Sequence, residues 1–271
     1  MPHTVAVAGL TPILKLLSWI AVLAACLAAP AGATARGPVI AAAASARFAL
    51  EDVAQTFYLQ TGQRVRLTLG SSGNLARKIR EGAPYEVYLS ADPRYVEDLA
   101  RAGFTRDGGK DYLIGRLAIF VPRASPLVAD GSLEDLRLAL SDGRLKHFAI
   151  ANPEHAPYGQ RAEQVLRRVG LWDAIRGRLV LGENVGQAAQ FAVSGNAEGG
   201  IIGFALARAP AVSERGSTAL IPAEWHDPLR HRAVLLKSAG TVSQQFYDYL
   251  SSDTARDAFR KHGFDVPGES N

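Results

Sequence analysis

Val65-Arg66-Leu67-Thr68-Leu69-Gly70-Ser71-Ser72-Gly73-Asn74-Leu75-Ala76-Arg77-Lys78-Ile79 is the stretch on which the fold turns. Its first five residues alternate as a half-buried strand does, and the run stops at Gly70. After the polar turn, Leu75, Ile79 and Ala83 recur at helical spacing beside a charged face of Arg77, Lys78 and Arg80. The unit is strand, small polar turn, helix.

The same unit repeats along the chain. Val39-Ile40-Ala41-Ala42-Ala43-Ala44 is a buried-strand run, followed by Phe48, Val53, Ala54 and Phe57 near helical spacing. Short apolar runs recur at Val87-Tyr88-Leu89, Leu117 to Val121, Phe148 to Ala151, Leu179-Val180-Leu181, Gly200 to Phe204 and Arg232 to Leu236. Most precede a helical pattern, and the last helix is expected from about Val242 to Phe259. Strands alternating with helices predict an α/β fold with mostly parallel sheets. Such sheets bind ligands beyond the carboxyl ends of their strands.

Four strand-to-helix junctions share one chemistry: Ala44-Ser45-Ala46, Gly70 to Asn74, Pro157-Tyr158-Gly159-Gln160, and Glu183-Asn184-Val185-Gly186. A helix N-terminus has about four backbone N–H groups without intrahelical partners, at the positive end of the peptide dipoles. Several such ends in one cleft bind an anion without Lys or Arg. Ser45 and Ser72 add hydroxyl donors, and Gly73, Gly159 and Gly186 are expected to let backbone approach the ligand. The competing reading of either serine is an ordinary helix cap, and of Tyr158 a packing residue. Val185 carries no side-chain signal, so any contact there runs through backbone.

The chain has 271 residues, 48% hydrophobic and 21% charged, as in an ordinary globular protein. Residues 16–25 (LLSWIAVLAA) follow Lys15 and have the length of a signal-peptide core, with Ala33-Thr34-Ala35 as the cleavage pattern. Export is therefore expected, with a mature chain from residue 36. A retained anchor is disfavoured, because a spanning helix needs about 20 apolar residues. Leu23-Ala24-Ala25-Cys26 also resembles a bacterial lipobox, so lipid anchoring through Cys26 stays open beside a free mature chain. The net charge is +4, and removing Lys15 leaves +3, with acids and bases interspersed. That argues against nucleic-acid binding. The G-x-S-x-G elbow, H-E-x-x-H and the P-loop are all missing from the sequence. Six His and one Cys make a transition-metal site unexpected, and no cofactor is expected. His226 and His231, flanking Asp227, are expected in a solvated crossing, and His155 is expected to order its own turn.

Against this background the chain resembles the molybdate-binding periplasmic proteins of ABC importers. The resemblance is carried by Ala42-Ala43-Ala44-Ser45, by Gly70 to Ile79, and by Gly82-Ala83-Pro84-Tyr85-Glu86-Val87-Tyr88-Leu89-Ser90-Ala91-Asp92. It continues in Asn152 to Gly159, Glu183-Asn184-Val185, Phe246 to Leu250 and Lys261-His262-Gly263-Phe264, in order along the mature chain. It implies a two-lobed type II periplasmic binding protein with hinge strands. Its lobes are residues 36–118 with 225–267, and 119–224; 1–35 is the signal peptide and 268–271 a tail. It implies a molybdate or tungstate ligand, with no direct protein–metal bonds. It further implies a permease and its ATPase as partners, a monomer, and no enzymatic activity. The implied oxyanion ligands are Ser45, Ser72, Tyr158 and the backbone of Val185. Where some relatives place a tyrosine after the late strand, this chain has Gly203. Tyr158 is the group here able to supply a phenol instead. Another tetrahedral oxyanion such as sulfate or phosphate remains the alternative ligand, and a secreted enzyme on the same fold the alternative class.

Overall fold

Two five-stranded sheets carry the fold in the computed structural model, which describes residues 37–268 together with Met1 and His3. The apolar run at 16–25, the cleavage pattern and Cys26 lie outside the described residues. The first sheet contains β1 (Val39–Ala43), β2 (Arg66–Gly70), β3 (Val87–Ser90), β4 (Lys110–Gly115) and β10 (Leu229–Leu235), in the order β2-β1-β3-β10-β4. The second contains β5 (Leu117–Pro122), β6 (Phe148–Ala151), β7 (Leu179–Gly182), β8 (Gly199–Gly203) and β9 (Gly216–Leu220), in the order β7-β6-β8-β5-β9.

The two orders follow one plan. In each sheet three parallel strands lie side by side, then comes one strand running against them, β10 or β5, and beyond it an edge strand, β4 or β9, antiparallel to that one. Four strands of each sheet thus share one direction, and the one that opposes them makes the sheet mixed. The antiparallel pairs are the ones that carry the chain between sheets: β4 leads through Arg116 into β5, and β9 leads through residues 221–228 into β10. The first exchange falls before Leu117.

Buried strands explain the near-continuous apolar runs. In β1, Ile40 and Ala42 join one core cluster while Ala41 joins the cluster on the opposite face. A third cluster fills the second sheet around Phe120, Phe148, Ile150 and Leu166. Helices follow the parallel strands: Arg47–Thr61 after β1, Ser72–Arg80 after β2, Pro93–Arg101 after β3, Pro157–Arg168 after β6 and Val185–Val193 after β7.

The C-terminal segment departs from the expected single helix. It breaks into Thr241–Tyr249 and Asp253–Lys261. Ser252 starts the second piece by accepting the Ala255 N–H at 3.2 Å, a side-chain cap that favours a new helix start. The crossing near β10 is also not solvated as expected. His231 lies inside β10 with no exposed surface, and His226 is nearly buried with Nδ1 2.7 Å from the Asp227 carbonyl.

Candidate oxyanion site

The carboxyl ends of β1, β2, β3, β6 and β7 converge on one small cavity. Its walls are Ala43, Ala44, Ser45, Gly70, Ser71, Ser72, Ala91, Ala156, Pro157, Tyr158, Asn184 and Val185. All four junctions singled out in the sequence meet there, and so do Ser45, Ser72, Tyr158 and Val185. The cavity measures about 10 Å³. A drug-sized ligand needs roughly 300 Å³ or more, whereas one water-sized group needs about 10–15 Å³. The wall carries no Lys, Arg, Asp, Glu or His.

Each polar group at the wall has a definite state. Ser45 sits in the one-turn 3-10 helix Ala44–Ala46 and is 1% exposed. Its Oγ has no hydrogen-bond partner, so it is not a cap. Ser72 is the first residue of its helix, and its Oγ accepts the Ala91 N–H at 3.0 Å. That bond leaves the Ser72 hydroxyl hydrogen uncommitted. The Ser72 carbonyl accepts the buried Tyr88 hydroxyl at 2.7 Å, which fixes the turn from below. Asn184 caps the next helix, accepting from Gly186 N–H at 2.9 Å and Gln187 N–H at 3.1 Å. Val185, first in that helix and 4% exposed, keeps an N–H with no intrahelical acceptor.

Tyr158 is buried at the second position of the Pro157–Arg168 helix. Burial pushes its hydroxyl well above the usual phenol range, partly offset by interaction with Ser45. It is therefore a neutral donor. The phenol lies 3.4 Å from His231 Nε2. Two glycines make its place. A Cβ on Gly115 would stand 2.0 Å from the Tyr158 hydroxyl, and one on Gly203 would stand 3.0 Å from its ring. Gly203 and Tyr158 are thus complementary: the space beside residue 203 is filled by a phenol from another element.

The glycine expectation needs correction. Gly73, Gly159 and Gly186 do not line the cavity. A Cβ at Gly73 would meet the His155 carbonyl at 2.7 Å, and one at Gly159 the Ala151 carbonyl at 2.1 Å. A Cβ at Gly186 would stand 3.0 Å from Asn184 Oδ1. These glycines let backbones and caps pack around the site, while Gly70 is the glycine on the wall.

Around the rim, contacts join elements of one sheet to those of the other. Gly73 N–H donates to the His155 carbonyl at 2.9 Å, and His155 Nδ1 lies 3.0 Å from Ser71 Oγ. Asn74 donates to Glu183. His155 therefore bridges the two halves rather than ordering only its own turn. On another side, Asp92 caps the Pro93–Arg101 helix and faces Arg161 at 3.4 Å, both nearly buried. Arg94 pairs with Asp92 at 2.6 Å and reaches Gln160 at 2.9 Å. Burial alone raises the Asp92 carboxyl, but the hydrogen bonds and charge of Arg94, with Arg161, outweigh it and hold it below the usual range. Arg77, Lys78 and Arg80 are exposed on the outer face of their helix, as a solvated face should be.

Comparison with known proteins agrees with this architecture. Residues 38–265 match the family described as bacterial extracellular solute-binding protein. The chain is 34% identical over 228 residues to the molybdate-binding protein ModA of Azotobacter vinelandii, covering 83% of this chain and 88% of that one. It is 32% identical over 242 residues to ModA of Rhodobacter capsulatus, covering 88% and 91%. The solved structure of the Azotobacter vinelandii periplasmic molybdate-binding protein superposes with a TM-score of 0.76 at 31% identity, covering 85% of this chain and 99% of that one.

Proposed function

We propose, for a chain that belongs to the bacterial extracellular solute-binding proteins, that it captures molybdate in the periplasm and presents it to an ABC importer. The observation that carries this reading is the buried, unpartnered Ser45 hydroxyl at a cavity walled by donors and free of charged side chains. A buried polar group without a partner costs about 1–3 kcal/mol, which an arriving oxyanion relieves. Ser45 and Ser72 supply hydroxyls, Tyr158 its phenol, and Val185 its backbone N–H. Helix starts at Ser72, Pro157 and Val185 supply the positive ends of peptide dipoles.

The missing wall charges set selectivity. With no carboxylate at the wall, nothing accepts a proton from a partly protonated phosphate. A fully ionised dianion suits the site better. Tungstate, near-equal to molybdate in size and charge, binds alongside it. Sulfate is smaller and leaves donors under-used. The ligand is cargo, the protein is monomeric, and the partners are a permease and its ATPase.

The test is an anion panel read by thermal shift and calorimetry. Molybdate and tungstate should raise the melting temperature in a concentration-dependent way, as a ligand that binds only the folded state must. Heat with sulfate or phosphate and none with molybdate or tungstate would overturn the ligand assignment. The paired substitution Ser45→Ala with Ser72→Ala should abolish molybdate binding; retained binding would move the site elsewhere.

A further inference from the structure

We infer that His231 positions the Tyr158 hydroxyl, turning its hydrogen away from the protein interior and toward the bound oxyanion. This rests on the reading of Tyr158 as an anion ligand. His231 sits on β10 at the register shift between His231 and Arg232, where the strand is irregular against β4. It is completely buried. Three rings enclose it edge-on: Phe264 at 5.7 Å, Tyr112 at 6.0 Å and Tyr158 at 6.0 Å between centroids. No carboxylate faces it, and burial lowers its imidazole to about 3, so it is neutral.

A neutral imidazole carries one N–H and one bare nitrogen. Among the described residues, its polar partner is the Tyr158 hydroxyl, 3.4 Å from Nε2, while Nδ1 is buried with none. If the hydrogen were on Nδ1, the structure would hold an orphaned buried donor. With the hydrogen on Nε2, only a bare acceptor is left over. Orphaned N–H groups are the rarer and more costly of the two. The geometry therefore selects Nε2–H, donating to the Tyr158 oxygen. The phenol's own hydrogen then has no acceptor at His231. It must point elsewhere, toward the cavity whose wall Tyr158 forms.

The contact also spans the two halves. β10 belongs to the first sheet, and the Pro157–Arg168 helix packs with the second.

The tautomer can be read directly by nitrogen-15 NMR of the histidine ring in the ligand-free protein. A protonated Nε2 with a bare Nδ1 is expected; a protonated Nδ1 with molybdate binding intact would overturn the inference alone. Molybdate titrations of His231→Phe, Tyr158→Phe and the double variant give the second reading. Tyr158→Phe should weaken binding about tenfold, the loss of one hydrogen bond to a charged acceptor. His231→Phe should weaken it severalfold, and the double variant should bind no worse than Tyr158→Phe. His231→Gln, which retains an N–H donor, should recover part of the loss. Independent, multiplying losses in the double variant, or unchanged affinity in His231→Phe, overturn the positioning role. Failure of the unaltered protein to bind molybdate overturns the proposed function itself.

Discussion

Ser45 and Ser72 occupy one cavity but hold opposite positions in the stability of the fold. The Ser45 hydroxyl is buried without a partner, whereas Ser72 receives the Ala91 N–H. Removing Ser45 Oγ therefore discards a buried unsatisfied atom. Ser45→Ala should weaken molybdate binding tenfold or more while leaving the ligand-free protein as stable as before, or slightly more so. Ser72→Ala should weaken binding too, but should also cost about 1 kcal/mol of unfolding free energy, because the Ala91 N–H loses its acceptor. Urea unfolding of the two variants without anion separates them. Near neutrality His231 makes a further claim at this scale. Its folded value is lowered to about 3, below an unfolded value near 6.5. Between those limits the unfolded chain binds the extra proton, so stability falls as pH drops from about 6.5 toward 3. The slope from this one group reaches at most about 1.4 kcal/mol per pH unit. It should be missing from His231→Phe in unfolding curves taken at pH 7, 6 and 5.

Helix starts are the elements that build the site, and their construction was partly visible in the chain itself. The junctions at Ser45, Ser72, Tyr158 and Val185 each combine a small or polar turn with the first residues of a helix, and all four reach the cavity wall. That much follows from local rules. Two of the four edge strands, β4 and β9, were not legible. β4 opens with Lys110-Asp111 and β9 reads Gly216-Ser217-Thr218-Ala219-Leu220; each lies at the rim of its sheet, where one side lacks a neighbour and polar residues are tolerated. The roles of His155 and His231 were hidden for another reason. Their partners lie 84 and 73 residues away at Ser71 and Tyr158, and spacing says nothing about such pairs. Asn184 was legible as a polar turn residue but not as a cap that takes two N–H groups and leaves Val185 N–H for a ligand. Asn184→Ala should cost about 1 kcal/mol of stability, as caps do. It should also weaken molybdate binding, since the freed helix start no longer holds Val185 in place. Asn184→Asp, which keeps the acceptor but brings a negative charge to the wall, should restore stability and still bind molybdate poorly.

The two sheets with their helices form halves that meet around the cavity, and several of the contacts that join them lie at its rim. Asp92 and Arg161 form one of these, nearly buried at 2% and 7% exposed, with Arg94 and Gln160 completing the set. On another side Gly73, Ser71 and Asn74 meet His155 and Glu183. An apparent dissociation constant rises in inverse proportion to the fraction of molecules in the binding-competent state. A variant that loosens the rim without touching the cavity should therefore bind molybdate more weakly while keeping its selectivity over sulfate. Arg161→Gln is the sharpest case. It removes the charge that faces Asp92 across the cleft but leaves Arg94 to pair that carboxylate, so the first half keeps its own fold. Small-angle scattering should show a more extended ligand-free protein than the unaltered chain. Saturating molybdate should bring both to the same compact form, since the anion adds its own link between the halves. Equal scattering profiles without ligand, together with unchanged molybdate affinity, would mean that this pair supports folding and plays no part in closure. The Asp92 carboxyl, held below its usual range, keeps this contact charged from neutrality down to the low-pH side of about 4. Affinity lost through this contact should appear only below that pH, as the carboxylate takes up its proton.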